Sequence, residues 1–555
     1  MDDVDAVQAQ IARNMLDSGD WVTARLNGIA YLEKAPLKYW MIAVSYMIFG
    51  VSDWAARIAI VLSCIALCWV TARMGAWAFS PRAGLYAGLV LATSVGLWLF
   101  TRILIPDVVL TLTIAVALWS FLRALEEDTR WAWGFWASLG AGFLLKGLIA
   151  MVFPVAAALL YLTVARQWPQ WRKLKPFSGP LLTLAISAPW VVLATLRNPP
   201  YFDFTMRSVK GEYHGFFWFF FLNEHLFRFL NMRYPRDYNT VPRVLFWAFH
   251  LLWFFPWSAW LWNALRGGFN TAERAGRLRL LCLLWLGFIL LFFTFSTTQE
   301  YYSMPAYPAF ALLLGAALAN DSSGWPARLM TILTGFIAVL LSTLFVLSGN
   351  YPTPGDISRA LTLNPEAYTL SLGHMQDLTL PALAYLRAPL LVAALAFAVG
   401  CAGTLLKRWR VTALVAMMLL FTQAARMALV VFDPYLSSRP LAKALKAAPP
   451  GEVILDNQYY TFSSVFFYAN LKKGWLLNGR VNNLEYGSYA PGAIDVWLDD
   501  GEFVRRWQSG QRHYLLIEGP SVPRLSARVQ LHQVATAGGK FLFTNLAAGA
   551  VAPPQ

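Results

Sequence analysis

Charge is scarce in this 555-residue chain: only 14% of residues are Asp, Glu, Lys or Arg, against about a quarter in a typical soluble domain. That shortage argues against an ordinary water-soluble fold. Cysteine is scarcer still. Cys64, Cys68, Cys282 and Cys401 all sit in apolar runs, so neither a disulfide framework nor a metal cluster is expected. Cys64 and Cys68, at helical i, i+4 spacing, read as packing residues. There is no HExxH, no Walker loop and no GxSxG, so the common soluble chemistries lack support. Neither an internal repeat nor a long low-complexity tract is evident.

What is abundant is apolar surface. Hydrophobic residues make up 58% of the chain, with 25 Trp and 22 Tyr, rings that settle at the headgroup level of a bilayer. The net charge of +15 raises nucleic acid as a partner. The basic residues fall instead in short clusters between apolar runs, as cytoplasmic loops beside anionic lipid do. Membrane lipids are expected partners and nucleic acid is not.

A span takes about 20 apolar residues. Twelve segments qualify, near 55–73, 83–100, 106–123, 131–145, 147–165, 177–197, 243–265, 277–296, 303–320, 327–348, 386–406 and 410–432. One alternate set of loops is rich in Arg and Lys, from Arg73 and Arg82 through Arg172, Lys173 and Lys175 to Lys407, Arg408 and Arg410. That set should be cytoplasmic. Residues 1–54, 198–242, 349–385 and 433–555 then face outward, and this orientation predicts a further span upstream of Met1, 13 in all.

The expected fold is an all-α polytopic membrane protein of about 12–13 transmembrane helices with a small C-terminal α/β domain. Residues 1–54 form a first outer loop, 55–432 the membrane domain and 433–555 the soluble domain. In the first loop, residues 5–18 place Val7, Ile11, Met15 and Leu16 on one side of a helix. Residues 37–50 read as an amphipathic piece lying in the interface plane. Past 433 the pattern turns to strands, at Glu452-Val-Ile-Leu and His513-Tyr-Leu-Leu-Ile, with a helix over 438–447.

Chemistry-bearing residues collect on the outer side. Asp2, Asp3 and Asp5 suit a general base or a sugar anchor, and equally the start of a helix, where acids favour the dipole. Asp107 follows Pro106 in the first turn of a span, near Arg102, where an ionisable group is costly and often functional. Lys34, Lys38 and Lys146 read as surface lysines that either hold a phosphate as point charges or snorkel. The 198–242 loop holds Glu224, His225, Arg228, Arg233 and Arg236 beside an aromatic wall, Phe216 to Phe221. His225 and Arg228, at i, i+3, would share a helical face, and Arg suits bidentate phosphate. Acids, cations and a greasy wall on one side suit sugar transfer from a lipid phosphate: a carboxylate to activate the acceptor hydroxyl, cations for the departing phosphate, and a groove for the prenyl chain.

Four stretches resemble a known family in residues and in order: Asp2-Asp-Val-Asp through Tyr31-Leu-Glu-Lys-Ala-Pro-Leu-Lys-Tyr-Trp; Arg102 through Asp107; Lys146-Gly147; and Phe295-Ser296 through Tyr302-Ser-Met-Pro-Ala-Tyr-Pro-Ala. They are similar to membrane glycosyltransferases of the GT-C type, in the branch of the lipid A aminoarabinose transferases and protein O-mannosyltransferases. The family's Tyr-Phe-Glu-Lys-Pro stands here as Tyr-Leu-Glu-Lys-Ala. The resemblance implies 13 spans and a periplasmic C-terminal domain in a bacterial inner membrane. It implies a polyprenyl-phosphate sugar donor, a lipid, glycan or protein acceptor, and an inverting displacement. By position it makes one of Asp2, Asp3 and Asp5 the base and Asp107 the second acid. Lys34 would contact the donor phosphate, and Tyr31, Arg102, Lys146, Glu224, His225, Arg228 and Tyr302 would line the donor site. No metal ligand set is visible; metal use varies in the family, and a divalent cation is the one candidate cofactor. The competing expectation is a polyprenyl-lipid transporter or flippase without transferase activity.

Overall fold

The computed structural model describes residues 1–235, 241–296, 298–321, 324–362, 372–406, 408–481 and 483–547. Arg236 and Lys407 lie outside them.

The chain opens with helix α1, Asp3–Ser18. Asp2 caps it by accepting from the Asp5 N–H, and Gly19 ends it at φ 68°. Both choices follow from chemistry: a short acidic side chain satisfies an orphan amide, and glycine takes the left-handed C-terminal position without strain. Val7, Ile11 and Met15 are buried as the periodicity predicts, and Leu16 packs beside them. Strands β1 (Arg25–Leu26) and β2 (Ile29–Ala30) follow, joined through Asn27-Gly28, both at positive φ; such a pair suits a tight hairpin. Helix α2, Leu37–Phe49, has 13 residues, about 20 Å of helix, too short to span the hydrocarbon.

The membrane helices begin at α3 (Asp53–Ala78), followed by α4 (Pro81–Ala92), α5 (Val95–Thr101), α6 (Asp107–Glu126), α7 (Trp131–Lys146), α8 (Ile149–Val164) and α9 (Ser178–Arg197). Among the described residues, eight helices are long and apolar enough to cross a membrane, and two bent pairs bring the number to ten. The span expected over 83–100 is the pair α4–α5, bent by 49°. At the break the Thr93 and Ser94 hydroxyls donate to Leu89 O and Leu91 O, offering the backbone an alternative to the helical ladder. The span expected over 243–265 is the pair Arg243–Trp253 and Trp257–Arg266, bent by 102°. Pro256, which has no N–H to give, stands at that break. The segments expected over 131–145 and 147–165 are α7 and α8, of 16 residues each.

The C-terminal domain is α/β. Six strands run in the order β5-β4-β3-β6-β8-β7: β3 (Glu452–Asp456), β4 (Trp475–Leu477), β5 (Trp497–Leu498) and β6 (His513–Glu518) are parallel, with β7 (His532–Ala537) and β8 (Lys540–Thr544) antiparallel at one edge. The helix expected over 438–447 is Arg439–Ala447. The domain is pinned to the start of the chain. Asp3 accepts from Ser438 Oγ (2.8 Å), the Ser464 amide (2.8 Å) and Lys540 Nζ (2.7 Å). Asn27 exchanges two hydrogen bonds with the Gly474 backbone.

Candidate active site

A cavity of about 410 Å³ opens where α2, α6, α7 and α8 meet the 218–229 segment and the Arg274–Phe295 helix. One wall is apolar, with Phe220, Phe221, Phe229, Phe292 and Phe293; the other carries Glu33, Lys34, Lys38, Asp107, Lys146, Glu224 and Arg228. Aromatic rings on one side and converging charges on the other suit an amphipathic ligand with an anionic head.

Asp107 is placed by sequence logic. Pro106 holds the N-cap position and Asp107 is the first residue of α6, where a carboxylate faces the positive end of the helix. Asp107 Oδ1 accepts from Lys146 Nζ at 2.5 Å. Lys146, the last residue of α7, also lies 4.9 Å from the Tyr302 ring centre, which favours a cation. Arg228 donates to Glu224 at 3.0 Å and to the Tyr302 hydroxyl at 3.1 Å. Two buried carboxylates drawn from distant segments, Glu33 and Glu224, share Arg233: its Nε lies 2.5 Å from Glu224 Oε1, and its Nη2 donates to Glu33 Oε1. Glu33 Oε2 is buried, accepts no hydrogen bond among the described residues, and stands 3.6 Å from Lys34 Nζ. It is available to a ligand hydroxyl.

His225 and Arg228 both line the cavity. Trp218–Phe227 winds as a π-helix, and Arg228, just past its end, pairs with Glu224 at i, i+4. His225 Nδ1 faces Phe220 O at 2.5 Å while Nε2 accepts from the Leu148 amide at 3.1 Å. That pattern assigns the proton to Nδ1. Burial lowers the pKa of the ring, so it serves as a neutral clasp between the π-helix and the α7–α8 turn.

Seven of the expected site residues therefore line one cavity: Lys34, Asp107, Lys146, Glu224, His225, Arg228 and Tyr302. Five do not. Asp2 is the α1 cap, and Asp3 is committed to the C-terminal domain. Asp5 is buried behind the cavity, paired with Arg57 and accepting from the Leu104 amide at 2.7 Å. Burial first, then Asp2, push its carboxyl up to about 6, against the pull of Arg57. Arg102 lies over the Trp98 ring, and the Tyr31 hydroxyl meets Tyr460 and Asn483 of the C-terminal domain. Lys38 is not at the surface; it is 3% exposed, in the cavity wall. Gln8 and Glu33 line the cavity without being expected there, and Arg233, expected in the polar patch, lies behind it between Glu33 and Glu224. For Glu33 a signal existed, since it precedes Lys34 in the Tyr-Leu-Glu-Lys motif.

Among the described residues no group of three or more His, Cys, Asp or Glu side chains is arranged to hold a metal ion. Asp107, Glu224 and Glu33 Oε1 are engaged by Lys146, Arg228 and Arg233.

Comparison with known proteins agrees with this architecture. The profile of the dolichyl-phosphate-mannose-protein mannosyltransferase family matches residues 33–193. The undecaprenyl phosphate-alpha-4-amino-4-deoxy-L-arabinose arabinosyl transferase of Aeromonas salmonicida is 28% identical over 366 residues, 63% of this chain and 62% of that protein. Its counterpart in Pseudomonas aeruginosa strain UCBPP-PA14 is 32% identical over 56% of this chain and 54% of its own length. The chain thus spans less than two thirds of the length of these relatives. The crystal structure of ArnT from Cupriavidus metallidurans bound to undecaprenyl phosphate superposes over 100% of this chain and 95% of that one, with a TM-score of 0.77 at 24% identity. The apo ArnT structure gives 0.75 at 23%, over 98% and 93%. The chain has the GT-C fold of ArnT, a multi-span membrane domain with a small C-terminal sheet domain.

Proposed function

We propose that this chain is an integral membrane glycosyltransferase that moves a sugar from a polyprenyl-phosphate donor to an acceptor hydroxyl on the outer face of a bacterial inner membrane. The carrying observation is the cavity itself, a greasy aromatic wall facing Lys34, Lys146 and Arg228, with Asp107 between them. Relatives named as undecaprenyl-phosphate arabinosyl transferases, and an ArnT structure bound to undecaprenyl phosphate, support the same reading.

In this reading the prenyl chain lies against Phe221, Phe229 and Phe292. The phosphate is held by Lys34 and Arg228, with Tyr302 orienting the guanidinium. Glu33 Oε2 accepts from a sugar hydroxyl. Asp107 takes the acceptor's proton, the acceptor oxygen attacks the anomeric carbon from the far side, and polyprenyl phosphate leaves with inversion. Asp5 acts as a positioning residue: its bond to Leu104 N fixes the turn that ends at Asp107. Asp3 anchors the C-terminal domain, which packs on the 218–229 segment through Tyr486, stacked on Phe219 at 3.9 Å.

The test uses purified full-length protein with short-chain polyprenyl phosphates carrying 4-amino-4-deoxy-L-arabinose, mannose or other sugars. Release of polyprenyl phosphate is followed with lipid A, glycan and peptide acceptors. Release with one donor–acceptor pair, lowered about 10²- to 10⁴-fold by Asp107→Asn as expected for loss of a general base, supports the proposal. Donor binding without release in any combination would favour a lipid transporter.

A further inference from the structure

Among the described residues, Lys38 lines the cavity without a salt bridge of its own, with Asp107 and Asp5 acting on it only at longer range. It is 3% exposed on the first turn of α2. Its ammonium donates to Gln8 Oε1 and, at 3.3 Å, to Leu104 O. Both acceptors are neutral, and among the described residues Lys38 enters no ion pair. An ammonium has three hydrogens; the nitrogen also lies 4.6 Å from the Tyr39 ring centre, and the side chain lines the cavity. Gln8 is fixed as well. Its Oε1 accepts from both Lys38 and the Tyr39 hydroxyl, which assigns the oxygen to that side and leaves the amide N–H groups as donors at the cavity edge. Lys146, by contrast, already has Asp107, Arg228 has Glu224, and Lys34 stands beside Glu33.

A buried ammonium held by neutral oxygens is costly until an anion joins it. Sugar transfer supplies such an anion in a particular way. The donor is a phosphodiester with one negative charge; the released monoester carries about 1.5 to 2 at pH 7. Resting on the glycosyltransferase reading, we propose that Lys38, held by Gln8, is a catalytic residue that receives the charge appearing on the phosphate as the sugar leaves. The step balances as follows. The acceptor oxygen–anomeric carbon bond forms and the anomeric carbon–phosphate oxygen bond breaks. Its electron pair passes to the phosphate oxygen facing Lys38, and the acceptor's proton passes to Asp107. Burial first, then Lys34, hold the free ammonium down to about 7, with Asp107 and Asp5 opposing and Lys146 adding, as suits a cation awaiting its counter-charge. A group that meets charge only in the transition state and product acts on kcat more than on KM.

The experiment compares binding of a short-chain polyprenyl phosphate with its methyl diester, using the full-length protein in nanodiscs at pH 7. Wild type should prefer the monoester by about tenfold or more. Lys38→Met should lose about tenfold on the monoester and less than twofold on the diester, and should lower kcat with KM nearly unchanged. If Lys38→Met does not fold by its thermal melt, Gln8→Glu decides: the lysine stays, an internal carboxylate neutralises it, and the preference should shrink in the same way. A monoester preference intact in the folded variant would overturn the role of Lys38 while leaving the glycosyltransferase reading in place. Failure of wild type to bind either lipid would overturn both.

Discussion

Gly147 sits at a φ of 67° in the turn between α7 and α8, and a β-carbon there would collide with the His225 imidazole. Gly147→Ala should therefore combine backbone strain of about 1–3 kcal/mol with displacement of the clasp. The expected result is a lower melting temperature and weaker polyprenyl-phosphate binding, measured on the same sample. Asp5 makes a pH prediction. Its folded carboxyl keeps a proton to about 6, above the ordinary 3.8. This group alone lowers stability as pH rises from about 4 to about 6, because the unfolded chain has already released the proton. Activity should move oppositely: protonation below about 6 weakens the grip on Arg57 and Leu104, so the rate falls on the acid side. Asp5→Asn should flatten that limb, and an unchanged profile would remove Asp5 from the account. The sequence announces Asp107, Lys146 and Lys34 through local context, a proline before an acid or a short charged motif. It names Lys38 and Arg233 but neither their burial nor their partners Gln8 and Glu33, which lie 30 and 200 positions away.

The Trp218–Phe227 π-helix is braced to the 1–54 segment through Arg233, which is buried between Glu33 and Glu224. Arg233→Met would leave two carboxylates without their shared cation. Breaking a buried pair of this kind costs about 3–5 kcal/mol, and donor binding should be lost along with that stability, as seen in a melt and a lipid-binding assay. Elements with strong periodicity, such as α1 and Arg439–Ala447, are readable from sequence because their buried faces repeat every three or four residues. The π-turn is not, since ten consecutive residues dominated by Trp and Phe give no period. The breaks at Thr93-Ser94 and Pro256 carry local signals, yet the bend of 102° at the second depends on packing that no window of sequence contains.

Over the whole molecule, basic loops set the orientation and are testable by labelling. Cysteine introduced at exposed Gln530 should react with an impermeant maleimide in intact cells stripped of their outer membrane. Cysteine at exposed Arg130 should react only after the membrane is opened. The reverse pattern would invert the topology and place the cavity on the cytoplasmic side. The Asp3–Lys540 contact bears on how such a protein is made. Lys540, which clamps α1, is synthesised more than five hundred residues after it. Until the C-terminal domain is made, Asp3 lacks its partners Ser438, Ser464 and Lys540, although α2 already holds Gln8 through Lys38 and Tyr39. On the glycosyltransferase proposal, a chain cut before Lys540 leaves α1 unclamped and should transfer sugar more slowly than the full-length protein in the release assay.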